Sequence, residues 1–230
     1  MAPSTRFLPL AVLASLALAA CDTSAFETAE DLKSYDVPDA VTTVDLTGRS
    51  GSVEVSVADG PVRVQERRVY ADLPPLTSHR VEGGTLYLLD RGCGKAADAD
   101  GQCATHYRVD VPRGVAVTVK VGTAPVTVTG VTAALDVTTD VGAIKGSGLA
   151  GPVKATTSVG DVELRFAAAP RTVEVRNDVG ATRVFLPAGD AYRIDARTDA
   201  GPVVDLPSRP DAPNAVTLRS STGEITVSPA

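Results

Sequence analysis

From Val115 to Pro229 small β-branched residues alternate with polar ones, and glycines at 122, 142, 160, 180, 201 and 223 punctuate the alternation every 18 to 22 residues. Aligned on these glycines, the preceding residues fall into register as VTVKVG, DVTTDVG, KATTSVG, EVRNDVG, DARTDAG and LRSSTG. Seven positions back stand Val115, Leu135, Val153, Val173, Ile194 and Val216; five back, Val117, Val137, Ala155, Val175, Ala196 and Leu218. One position back, Val121, Val141, Val159, Val179, Ala200 and Thr222 are again apolar or small. Period-two alternation of this kind predicts half-buried strands with these columns inside, and no helical spacing competes. The glycine then allows a tight corner where a Cβ would clash. A second short strand follows it, as in 125–129, 161–166, 181–186 and 224–228.

Each unit therefore reads as strand, glycine corner, strand and loop. A fixed repeat means that like units stack. The pattern predicts an all-β chain: a β-solenoid, or single-stranded β-helix-like stack, of units near twenty residues. An antiparallel sandwich is the competing arrangement. Stacking is favoured because equivalent residues in stacked units must face the same way.

Residues 41–113 alternate as well, in VTTVDL, GSVEVSV and THYRVDVP, but without a clear twenty-residue period. A stack cannot leave its first strand edge open. This part is expected to form two or three degenerate coils that serve as an irregular β N-terminal cap, within one folded domain over 41–229.

Composition narrows the picture. The chain has 43% hydrophobic residues but only 4% aromatic, so its core must be valine, alanine, leucine and isoleucine, as thin layered β structure requires. A net charge of −6 with no basic cluster argues against nucleic acid as a partner.

The amino terminus reads as an address. Arg6 precedes the apolar run FLPLAVLASLALAA, which suits a signal-peptide core and is too short to span a membrane. It ends in Leu18-Ala19-Ala20-Cys21, which resembles the bacterial lipobox. That likeness implies cleavage after residue 20 and lipid on Cys21, leaving the protein anchored at the outer face of the cytoplasmic membrane or in the envelope. An ordinary secretory signal with a chance cysteine is the alternative. Residues 21–40, polar and acidic, are expected to form a flexible tether, with a short amphipathic helix over 27–34 as a variant.

Candidate chemistry is sparse. Cys93 and Cys103 bracket one loop, and in an exported chain two remaining cysteines are expected to pair, a bond worth about 2–3 kcal/mol in the chain-entropy account. A metal or redox pair is disfavoured because the spacing is not CxxC. Asp98, Asp100 and Gly101 hint at a calcium loop but lack the remaining ligands. His79 and His106 stand apart, and no nucleophile–base motif or nucleotide loop accompanies them. No cofactor or metal is expected.

The polar columns beside the glycines form a candidate site. Two back stand Lys120, Asp140, Ser158, Asp178, Asp199 and Ser221; four back, Thr118, Thr138, Thr156, Arg176, Arg197 and Arg219. Sequence order places Asp178 and Asp199 on adjacent rungs about 5 Å apart. Arg176, Asp178, Arg197, Asp199 and Arg219 would then form a charge-compensated surface ladder. A calcium or sugar site on this face is the functional alternative.

The TDVG-like units followed by V-x-V strands, with the stretch CATHYRVDVPRGVAVTVKVG (103–122), resemble the bacterial putative-adhesin β-strand-repeat family. The resemblance covers about 41–229. It implies a β-helix or solenoid and surface contact without a defined ligand, and it offers no catalytic residues; an envelope protein or glycan is the expected partner. The expected function is a non-enzymatic, lipid-anchored envelope scaffold. The alternatives are an extracellular carbohydrate-active β-helix enzyme and a structural partner of envelope-stress or secretion machinery.

Overall fold

The computed structural model describes residues 28–94 and 103–230, all strand and connection with no helix among them. The expected solenoid is present. After an antiparallel first strand, β1 (Ala29–Val37), the long strand β2 (Thr43–Val57) runs through a corner and joins two sheets. The repeats follow as strand pairs: β7 (Ala116–Thr123) with β8 (Val126–Thr129), β9 (Leu135–Val141) with β10 (Ile144–Leu149), and β11 (Val153–Val159) with β12 (Val162–Phe166). Then come β13 (Thr172–Val179) with β14 (Thr182–Leu186), β15 (Tyr192–Arg197) with β16 (Val203–Val204), and β17 (Asn214–Thr222) with β18 (Ile225–Pro229). Odd-numbered repeat strands stack in one sheet, even-numbered ones in the other, all parallel.

The core lies between the sheets. One inner column runs Val44, Val117, Leu135, Val153, Val173, Val216 and Ile194 along neighbouring strands. Facing it across the core, Val53, Val126, Ile144, Val162, Thr182 and Ile225 line the second sheet. Nearly all of these are buried, so the apolar alternation does fill a thin interior.

The corners explain four of the six repeat glycines. A Cβ on Gly180 would lie 2.2 Å from the carbonyl oxygen of Gly160, and one on Gly160 would lie 2.2 Å from that of Gly142. Gly142 meets Ala124 O and Gly223 meets Gly180 O at 2.1 Å in the same way. Each corner thus rests on the corner one rung away, too closely for any side chain. In the first repeat the sequence alignment is out by two. Val121 pairs Thr139 and Thr123 pairs Val141, so Ala124 holds the corner and Gly122 the place of Asp140. Gly122 is small for another reason, since a Cβ there would come 2.8 Å from Arg49 O.

The corner also reverses the expected facing. Pairing skips the residue two before the glycine, as between Thr157↔Asn177 and Val159↔Val179. The alternation slips there. Val141, Val159 and Val179, expected inside, are 45–48% exposed, while the polar residues three back from the glycine point inward.

The order of coils departs from the order of the chain at both ends. The last coil, β17/β18, inserts between β13/β14 and β15/β16. At the other end β2 is the second rung. Outside it lie β5 (Thr85–Asp90) and β6 (Cys103–Val111), with β4 (Thr77–Glu82) antiparallel to β5 and β3 (Val62–Tyr70) antiparallel to β6. The cap is therefore antiparallel strands around two coils, rather than a run of degenerate coils alone. β1 completes it by pairing with β3 over nine residues, so the chain from Ala29 to Val37 is an edge strand and neither tether nor helix. The reason is charge complementarity: Asp31 meets Arg68 at 2.6 Å, Asp36 meets Arg63 at 2.8 Å and Glu30 meets Arg67 at 3.2 Å.

Candidate functional site

Three arginines share one face of the sheet near its carboxy-terminal end. Arg176 pairs in register with Arg219, and Arg219 with Arg197. The inserted strand β17 therefore stands between the rungs of Asp178 and Asp199. The expected adjacency of those aspartates does not hold: β17 separates β13 from β15, and Asp199 lies in the turn that follows β15. The arginines instead take acids two residues before themselves. Arg176 Nη2 is 2.7 Å from Glu174 Oε1, and Arg197 Nε is 3.1 Å from Asp195 Oδ1. Arg219 also donates to Asp195, and its Nη1 donates to the Asp195 carbonyl oxygen at 2.8 Å. The Arg219 hydrogen bond, opposed by some desolvation and helped by Arg197, holds the Asp195 carboxyl below its ordinary range.

Between these rows lies a shallow cleft of about 370 Å³, lined by Arg176, Asp178, Arg197, Asp199, Arg219 and Ser221. Three arginines and two aspartates line it, and Glu174 and Asp195 are bonded to the arginines, so it offers paired hydrogen-bonding groups rather than a field of one sign. A larger hollow of about 570 Å³ opens where Gly48 and Gly122 leave space beside Arg49, Lys120 and Asp140. Among the described residues no group of three or more His, Cys, Asp or Glu side chains could hold a metal ion.

Along the corners runs a column of polar side chains. Thr139 Oγ1 donates to Ala124 O at 3.1 Å, Thr157 Oγ1 to Gly142 O at 3.1 Å, and Asn177 Nδ2 to Gly160 O at 3.0 Å. Thr198 donates to Gly223 O in the same manner. These side chains satisfy corner carbonyls that the bulge leaves without a ladder partner. The signal was present: the position three before each glycine is Thr, Thr, Asn, Thr or Ser from Thr139 onward.

The cap holds a second polar cluster. Glu66 is buried, and its Oε1 accepts from Tyr35 OH at 2.7 Å. Burial, then the neighbouring Glu66, raises the Tyr35 and Tyr107 hydroxyls well above the usual tyrosine range. Arg68 donates to both oxygens of Asp31 and to Pro75 O, holding the Asp31 carboxyl below its ordinary value. His79 stacks on Tyr35 with ring centroids 4.2 Å apart. His106 Nδ1 lies 2.8 Å from Ser52 Oγ, and burial followed by Arg67 lowers its pKa. The two histidines thus serve separate local contacts.

Cys93 and Cys103 are joined by a disulfide, with Cα atoms 5.9 Å apart. Cys21 lies outside the described residues, as do Asp98, Asp100 and Gly101.

These features define a class: a capped, two-sheet parallel β-stack with a charge-balanced outer face. The structure is similar to that of a putative cell adhesion protein from Clostridium sporogenes, with a TM-score of 0.53 at 13% identity, over 89% of this chain and 100% of that one. It is also similar to a putative adhesin from Bacteroides fragilis, with a TM-score of 0.50 at 16% identity, over 88% and 97% of the two chains. No family model matches the sequence, and no curated protein matches it.

Proposed function

We propose that this is a lipid-anchored protein of the bacterial cell envelope, held through Cys21, whose rigid stack presents an adhesin-like contact surface and catalyses no reaction. The observation that carries the reading is the fold, shared along nearly the whole chain with a putative cell adhesion protein and a putative adhesin. The Leu18-Ala19-Ala20-Cys21 motif supplies the anchor. The cleft around Arg219 is the candidate contact, because paired guanidinium and carboxylate groups suit the hydroxyls and charged substituents of an envelope glycan or protein.

Metabolic labelling with an alkyne fatty acid is expected to mark the wild type and miss Cys21→Ser. Equal labelling of the two refutes the anchor. On a glycan array, saturable binding lost in Arg219→Glu supports the contact surface. Turnover of a polysaccharide that disappears in Asp199→Asn would overturn the non-enzymatic part.

A further inference from the structure

We propose that one corner of the cap, built around Leu73 and Leu76, seats on the surface of the lipid bilayer, with the stack standing away from it. The proposal rests on the anchor at Cys21 and adds the orientation of the protein and the residues that touch lipid.

The corner is defined by register. Ala29 pairs with Tyr70, and Tyr70 on its other side pairs with Cys103. The loop over 71–76 leaves Tyr70 at this point. It is tied to the end of β5 by Leu76 N donating to Gly92 O at 2.9 Å and Arg91 N donating to Leu76 O at 3.0 Å. The start of the described chain, the loop and the disulfide thus share one corner. Leu73 and Leu76 are each 67% exposed there, the most exposed large apolar side chains among the described residues.

Two observations point to lipid as the occupant. Ala29 lies eight residues after Cys21, so lipid on that cysteine holds this corner within about 28 Å of the bilayer. The loop itself is suited to leave water. Pro74 and Pro75 bring no N–H groups, and Pro75 O already accepts from Arg68 and from Thr77 N. Of the nearby charges, Arg68 and Asp31 neutralise one another, while Asp72 and Arg91 are exposed and can keep their water at the rim.

The exposed valines lie farther along the same edge. Val141, Val159 and Val179 are flanked by Asp140, Asp161 and Asp178, whose carboxylates resist loss of water. The nearest of them lies on β9, three rungs from β5, about 14 Å along the stack. Asp72 stands beside Leu73 as well, so distance from the anchor separates the two places: the leucine corner lies at the start of the described chain and the valines at least three rungs away. The stack therefore stands upright.

The chain contains no tryptophan, so Leu73→Trp and Val159→Trp each create a single-indole protein. The full-length lipoproteins are reconstituted into vesicles of phosphatidylethanolamine and phosphatidylglycerol doped with bromine-labelled phosphatidylcholine, with fatty-acid labelling checked on the same samples. The expected result is blue-shifted emission from Leu73→Trp, quenched several-fold more strongly than that of Val159→Trp. Labelled protein without quenching in Leu73→Trp overturns the corner and leaves the anchor standing. Equal quenching of both overturns the upright orientation. Unlabelled protein that does not associate with the vesicles overturns the anchor and the corner together.

Discussion

The stacked glycine corners allow a quantitative test at Gly180. Its φ is +138°, and a Cβ there would stand 2.2 Å from the carbonyl oxygen of Gly160. A carbon–oxygen contact relaxes only near 3.3 Å, so Gly180→Ala must open the corner by about 1 Å. The rungs are held at that point by Gly160 N donating to Val179 O at 2.9 Å and Gly180 N donating to Thr222 O at 3.0 Å. Stretching both past useful length costs about 2 kcal/mol, and the left-handed backbone adds about 1–2 kcal/mol for a residue with a Cβ. The sum is about 3–4 kcal/mol. Gly189 isolates the backbone part, because its φ is +94° and nothing lies within 4 Å of its would-be Cβ. Gly189→Ala should therefore cost only about 1–2 kcal/mol. Urea unfolding of both variants with the disulfide intact, compared at unchanged slope, measures the difference. If the two substitutions destabilise equally within about 0.5 kcal/mol, the contact between corners is not what selects glycine.

Thr157→Val removes the hydroxyl that Gly142 O accepts from and leaves that carbonyl buried without it, so it should cost about 1–2 kcal/mol in urea unfolding, while Thr156→Val on the outer face costs little. Arg68→Met keeps the packing but removes the bonds to Asp31, with an expected loss of about 2 kcal/mol at neutral pH. Because Asp31 is held below its ordinary value in the folded protein, this stabilisation is present above about pH 4 and is lost as pH falls through the lowered value, so wild type and variant converge in acid unfolding. Reduction of Cys93–Cys103 should lower stability by about 2–3 kcal/mol, read as a drop in melting temperature on adding a reductant.

What was legible in the sequence follows from what local pattern encodes. Valines at Val153 and Val173 repeat because a parallel stack puts them side by side, so alternation and period together disclosed the strands and the solenoid. The facing at the corner was not legible from alternation. A bulge shifts the period by one, and Val159 goes outward where its neighbours in pattern go inward. The candidate site was read in its residues but not in its order. Arg176, Arg197 and Arg219 do line up, yet which is central depends on where β17 inserts, and that is a long-range choice. β1 was hidden for a related reason: its acids read as a solvated tether until the arginines of β3, more than 25 residues away, are set opposite them.

The reordering at the two ends has a common physical cause. A parallel stack ends in strands whose outer N–H and C=O groups are unpaired, and such edges recruit other chains. If coils stacked strictly in chain order, β17 would be one of those edges, nine residues long and regular. Insertion between β13 and β15 gives it partners on both sides and moves a less exposed problem to the end. There β16 is only two residues long, and β15 is screened by the segment after it: Ile194 N donates to Ser208 Oγ at 2.9 Å and Arg209 N to Tyr192 O at 2.8 Å. Pro207, Pro210 and Pro213 in that segment cannot extend a ladder. At the opposite end β2 is likewise internal, and antiparallel β1 and β4 take the edges, with the charges of β1 engaged by β3. Both ends thus replace a regular parallel edge with a short, screened or charge-paired one. That leaves growth by strand addition blocked, and contact with other molecules to the outer faces and the leucine corner.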